Sequence, residues 1–208
     1  MTTELKLGVL VSGNGSNLQA ILDAVQQRVL PARVNLVVSN RPGVQALARA
    51  EAARVPTRCI AHTEFPNREA FDEQLAHALK QADVDWVVLA GFMRLLTPRF
   101  LDQFPNRVVN IHPALLPAFP GVNAIGQALR HGVKLTGCTV HLVDAGVDSG
   151  PILAQAAVPV LAHDTEDALA QRVHVAEHAL YVDTLRRLAT GELAVPIHPC
   201  EGDTSRTR

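Results

Sequence analysis

The stretch L-K-L-G-V-L-V-S-G-N-G-S-N, residues 5–17, decides the fold. Residues 5–12 are mostly apolar and read as a buried strand, glycines 13 and 15 follow, and Ser16 and Asn17 open a helix that reaches about residue 29. A strand that passes through a short glycine turn into a helix is the repeating unit of an α/β sheet.

The unit recurs outward from there. Residues 34–39 read as a second strand, followed by Asn40-Arg41-Pro42-Gly43 and an alanine-rich helix to Arg54. A short strand at 57–60 precedes a helix at 67–81 with Phe71, Leu75 and Leu79 on one face. The apolar strand 86–90 exits through Gly91-Phe92-Met93-Arg94-Leu95-Leu96 into a short helix at 97–104. Beyond it come a strand from 108, a helix at 124–131, strands at 135–143 and 152–160, and a long helix at 165–190. Asp164 is the expected cap of that helix, and Leu169, Val173, Ala176, Leu180 and Leu188 its expected buried stripe. The fold class is therefore α/β: a Rossmann-like, mostly parallel twisted sheet with helices on both faces. Residues 1–198 are expected to form one domain, with 199–208 a flexible C-terminal tail.

Composition narrows the partners. The 208 residues are 48% hydrophobic and carry a formal net charge of -1, so no broad basic field exists to hold nucleic acid or an anionic membrane. Small-molecule substrates are expected, and the chain acts as a monomer or homodimer. The opening M-T-T-E-L-K has no basic leader, and no apolar run approaches membrane-spanning length, which points to the cytoplasm. Cys59, Cys138 and Cys200 are widely spaced and suggest neither a disulfide framework nor a zinc site.

The chemistry concentrates in V-V-N-I-H-P-A-L-L-P-A-F-P-G, residues 108–121. Pro113 must end the strand, so Asn110 and His112 lie at its carboxyl end, where open α/β sheets bind ligands. Two apart on a strand, they face the same side. A hydrogen-bonded structural histidine is the plainer account of His112, and a turn-former that of Asp148 in V-D-S-G-P. If the two meet, the carboxylate orients the ring and favours its charged form.

The glycine loop offers backbone N–H groups and a helix dipole to a phosphate. Leu18 replaces the third glycine of a dinucleotide fingerprint and Ser39-Asn40 replaces the ribose-binding carboxylate, so NAD is not expected; a monophosphate fits better, and a plain turn also remains open. His174-Val-Ala-Glu177-His178 spells H-x-x-E-H, a zinc hydrolase pattern. It has no evident third ligand apart from Glu192 or Glu201, so surface histidines beside a functional Glu177 explain it better.

Several blocks together carry a family resemblance: S-G-N-G-S-N (12–17), N-R-E-A-F-D (67–72), V-V-L-A-G-F-M-R-L-L (87–96), N-I-H-P-A-L-L-P-A-F-P-G (110–121), G-C-T-V-H-L-V (137–143), D-S-G-P-I-L-A-Q (148–155) and R-V-H-V-A-E-H (172–178). From about residue 9 to 192 the chain resembles the single-domain phosphoribosylglycinamide formyltransferases of purine biosynthesis. The resemblance implies the formyltransferase type of Rossmann-like sheet and transfer of a formyl group from 10-formyltetrahydrofolate, as co-substrate, to the amine of phosphoribosylglycinamide, without a metal. It implies Asn110, His112 and Asp148 as the catalytic trio, and Gly15, Ser16, Asn17, His174 and Glu177 on the phosphoribosyl substrate. The implied folate contacts are Arg68, Met93, Arg94, Leu95, Leu96, Asn110, Asp144 and Asp148.

In the implied mechanism Asn110 and a protonated His112 donate to the formyl oxygen while Asp148 assists proton transfer. The chain departs from the family at Ile125-Gly126 and at His174. A formyltetrahydrofolate deformylase, with water replacing the amine, is the alternative within the class. A zinc hydrolase and a non-catalytic phosphate-binding module are the alternatives outside it.

Overall fold

A computed structural model of the chain describes residues 4–195; residues 1–3 and 196–208, including Cys200, Glu201 and the expected tail, lie outside the described residues. Strands β1 (Leu5–Val11), β2 (Ala32–Ser39), β3 (Thr57–Cys59), β4 (Trp86–Leu89), β5 (Val108–His112), β6 (Leu135–Leu142) and β7 (Ile152–Pro159) form one seven-stranded sheet in the order β3-β2-β1-β4-β5-β6-β7. Pairing is parallel from β3 through β5, then antiparallel at β5–β6 and β6–β7.

The helices are α1 (Ser16–Gln26), α2 (Gln45–Ala52), α3 (Arg68–Gln81), α4 (Pro98–Leu101), α5 (Ala124–His131) and α6 (Glu166–Ala189). Alternation along β1 sends Leu7, Val9 and Val11 into one layer with α1 and α6, and Leu10 into the other with α3 and Phe100. The mostly parallel α/β architecture is the expected one.

Two details of α6 differ from expectation. Thr165, not Asp164, is its cap: the Thr165 hydroxyl accepts the Ala168 N–H at 3.2 Å, while Asp164 accepts Leu161 N–H at 2.7 Å and pairs with Arg172. The buried stripe runs through Leu169, Val173, Glu177, Tyr181, Thr184 and Leu185, and Ala176, Leu180 and Leu188 are only partly buried. Rotating the stripe lets the fully buried Tyr181 hydroxyl reach the carbonyls of Leu89 and Val109, at 3.0 and 3.1 Å. Those carbonyls belong to the strands whose exits build the site, so α6 buttresses it from behind.

Connections reverse direction at β1, which lies between β2 and β4. The crevice beyond such a reversal is where doubly wound sheets bind ligands, and the loops after β1 and β4 flank it. Ser12 joins them: its hydroxyl accepts Met93 N–H at 2.9 Å and donates to Asn40 Oδ1 at 2.6 Å. No helix among the described residues is long and apolar enough to cross a membrane.

Candidate active site

The carboxyl end of β5 brings the expected trio together. Asp148 reaches it from the loop after β6, held in a left-handed conformation (φ 52°). One carboxylate oxygen, Oδ2, accepts the Gly121 N–H at 2.8 Å and lies 3.2 Å from His112 Nδ1. The other, Oδ1, is 3.5 Å from both Asn110 Nδ2 and His141 Nε2. Burial by itself would push this carboxyl up; hydrogen bonds from His141 and the Gly121 amide, with the His112 and His141 charges, hold it below its ordinary value.

His141 is a member of the cluster that the sequence did not single out. It stands opposite Asn110 in the β5–β6 register, and its Nε2 is 3.2 Å from Asn110 Nδ2. Its Nδ1 faces the Leu142 carbonyl at 2.8 Å, an acceptor that requires a proton on that nitrogen. Nε2 then either accepts from the Asn110 amide through its lone pair or, when it carries a proton, donates to Asp148.

His112 is 4% exposed, with Nε2 donating to the Phe119 carbonyl at 2.8 Å. Both ring nitrogens therefore face acceptors, and a proton on each satisfies both. His112 Nε2 thus donates to the protein backbone here, and not into the cleft. The loop 113–121 folds back over the ring and engages Nε2, while the Asn110 amide, besides facing His141 and Asp148, lines the cleft.

Beside the cluster lies a cleft of about 500 Å³ between the loops 91–96 and 143–148, and Asn110, His112, His141 and Asp148 all line it. Its rim is apolar and open to solvent: Met93 is 68% exposed, with Leu95, Val122 and Val147 also exposed. A flat aromatic ring system would bury those side chains. Of the expected folate contacts, Met93, Arg94, Leu95, Leu96, Asn110, Asp144 and Asp148 line the cleft. Asp144 also braces its own loop, accepting from Gly146 N–H and Ser149 Oγ. Arg68 stands apart from the lining and reaches it by donating to the Leu95 carbonyl at 2.9 Å.

The glycine loop has the form of an anion cradle. Gly15 caps α1 in the left-handed region (φ 79°) without a side-chain cap bond, and the first intrahelical bond runs from Gln19. The amides of Ser16, Asn17 and Leu18 precede that bond. A Cβ on Gly15 would stand 2.6 Å from Ala46 Cβ, so α2 packs this close only against glycine.

Glu177 is buried against the cradle, 3.5 Å from Asn17 Nδ2, and burial pushes its carboxyl up to about 7 against that hydrogen bond. His174, half exposed, lies 4.0 Å from it. Among the described residues no three His, Cys, Asp or Glu side chains gather as a metal site; Glu192, the expected candidate for a third ligand within them, pairs with Arg186. Cys59 and Cys138 are free thiols, and burial pushes Cys138 up to about 12. At the departure Ile125-Gly126, a Cβ on Gly126 would meet the Asn123 carboxamide that caps α5, 2.6 Å from its Oδ1. Glycine at 126 thus goes with asparagine at 123.

Comparison with known proteins identifies the family. A family model described as formyl transferase matches residues 5–185. The phosphoribosylglycinamide formyltransferase of Bacillus subtilis is 40% identical over 183 residues, 88% of this chain and 94% of that protein. The trifunctional purine biosynthetic protein adenosine-3 of Drosophila melanogaster is 50% identical over 188 residues, but the chain spans only 14% of its length. A crystal structure of glycinamide ribonucleotide transformylase 1 from Symbiobacterium toebii superposes with a TM-score of 0.91 at 50% identity, covering 93% of this chain and 91% of that one. In sequence and in fold alike, the chain belongs to the formyl transferase family, among the phosphoribosylglycinamide formyltransferases.

Proposed function

We propose that the chain transfers the formyl group of 10-formyltetrahydrofolate to the amine of phosphoribosylglycinamide. The observation that carries this reading is the meeting of Asn110, His112, His141 and Asp148 at the floor of an apolar-rimmed cleft. A glycine-lined anion cradle stands at the end of β1, separated from β5 by β4, whose exit loop walls the cleft. One pocket suits a planar pteridine and the other a phosphate.

In the proposed mechanism the neutral amine attacks the formyl carbon and negative charge develops on the formyl oxygen. Asn110 Nδ2 donates to that oxygen, an interaction that strengthens as the charge grows and so lowers the barrier. Asp148, kept ionised by its donors, accepts the amine proton directly or through water and returns it to the departing folate nitrogen. His112 and His141 orient the carboxylate and balance its charge. The pathway uses no covalent enzyme intermediate.

Gly15, Ser16 and Asn17 are assigned to the substrate phosphate, with Glu177 and His174 beside its ribose. The loop 93–96, Asp144 and Arg68 are assigned to the folate. A formal charge near zero favours small-molecule substrates over nucleic acid, and the cytoplasm is the location the family resemblance implies.

The test follows release of tetrahydrofolate from 10-formyltetrahydrofolate with and without phosphoribosylglycinamide. Release that requires the amine is the expected result. Equal release without it makes the chain a deformylase, and no release in either case leaves a binding module.

A further inference from the structure

We propose that Asp72 is a positioning residue for the formyl donor: from within α3 it fixes the cleft wall at residues 91–97 and thereby sets donor affinity without touching the donor. The inference rests on the functional reading above. Asp72 is 2% exposed, on the helix whose Phe71 and Leu75 join Leu96 and Phe100 in one apolar cluster. A carboxylate in such surroundings is costly unless hydrogen-bonded, and its partner is the Thr97 N–H, 2.6 Å from Oδ2 at the end of the wall. Burial pushes the carboxyl up, while hydrogen bonding at Thr97 and the Arg68 and Arg94 charges oppose that rise.

Asp72 does not act alone. Arg68, one turn earlier, donates to the Leu95 carbonyl at 2.9 Å, and Phe71 carries the Arg94 guanidinium 5.2 Å from its ring centroid. Positions 68, 71 and 72 share one helix face, so α3 grips the wall at 94, 95 and 97. Ser12 holds its other end through Met93 N–H. The grip has a purpose that packing alone does not supply. Met93 and Leu95 are held out in solvent, where apolar side chains gain nothing until a ligand covers them. A free loop would fold them inward; a pinned one keeps the donor's surface formed in advance, which lowers the ordering cost of binding.

Asp72→Ala and Asp72→Asn in the full chain test this, with steady-state kinetics in each substrate, thermal melts, and direct titration of 10-formyltetrahydrofolate by its pteridine fluorescence. Asp72→Ala is expected to weaken donor KM and binding about tenfold or more. The KM for phosphoribosylglycinamide and kcat at saturation should stay within about threefold. Asp72→Asn retains an acceptor oxygen and should recover most of the loss. Thr97→Pro deletes the same N–H from the other side, at a φ of -78° that proline accepts, and should reproduce the selective loss if Asp72→Ala does not fold. Unchanged donor binding in folded variants overturns the proposal, as does an equal loss for both substrates without rescue by asparagine. Because the titration does not depend on transfer, a wild type that binds the donor but fails to formylate the amine defeats the functional reading and leaves the role of Asp72 separately decided.

Discussion

Asn110 of β5 and His141 of β6 stand opposite each other across an antiparallel junction, their side-chain nitrogens 3.2 Å apart and each 3.5 Å from the same Asp148 oxygen. The antiparallel turn-back of β6 thus supplies the residue that braces the trio. His141→Ala removes a hydrogen bond that lowers the Asp148 carboxyl, so that carboxyl rises. The acid limb of the kcat profile is expected to move to higher pH, with kcat at its plateau down by roughly tenfold to a hundredfold. An unchanged limb would separate His141 from Asp148.

Glu177 makes stability depend on pH in the opposite sense from an ion-paired carboxylate. Its folded value, about 7, lies above the ordinary 4.5, so the native state holds a proton that the unfolded chain has released in that interval. Stability is full below the unfolded value and falls as pH rises towards 7. Glu177→Gln should flatten that decline, gaining on the order of 2–3 kcal/mol at pH 8 and little at pH 4 in urea unfolding. A parallel loss at both pH values would contradict this.

Gly15→Ala combines a clash with α2 and a left-handed φ. It is expected to cost about 1–3 kcal/mol of stability and to raise the KM for the phosphate-bearing substrate more than that for the folate. Urea melts and paired KM measurements check both parts.

Much of this was legible because its signals are local. The run 86–90 has no polar interruption and is β4; Asn110 and His112 share a face because strand periodicity is two; glycines 13 and 15 mark the turn into α1. What was missed depends on partners far along the chain. His141 reads as one of several polar residues in a buried strand until the β5–β6 register sets it against Asn110. Asp72 looks like an ordinary helix-surface acid, although its place beside Phe71 and three before Leu75 puts it on the apolar face. On α6, hydropathy favours Ala176 and Leu180, whereas Glu177 and Tyr181 lie inward because Asn17 and the carbonyls of Leu89 and Val109 meet their polar atoms. The choice between Asp164 and Thr165 as cap turned on Arg172, which engages the aspartate.

The account stands most directly on Asp148, where donors from two strands and the 113–121 loop converge. Single-turnover formyl transfer by Asp148→Asn, with both substrates bound, should be slower than wild type by roughly two to four orders of magnitude while donor binding is retained. Transfer within about tenfold of wild type would contradict it.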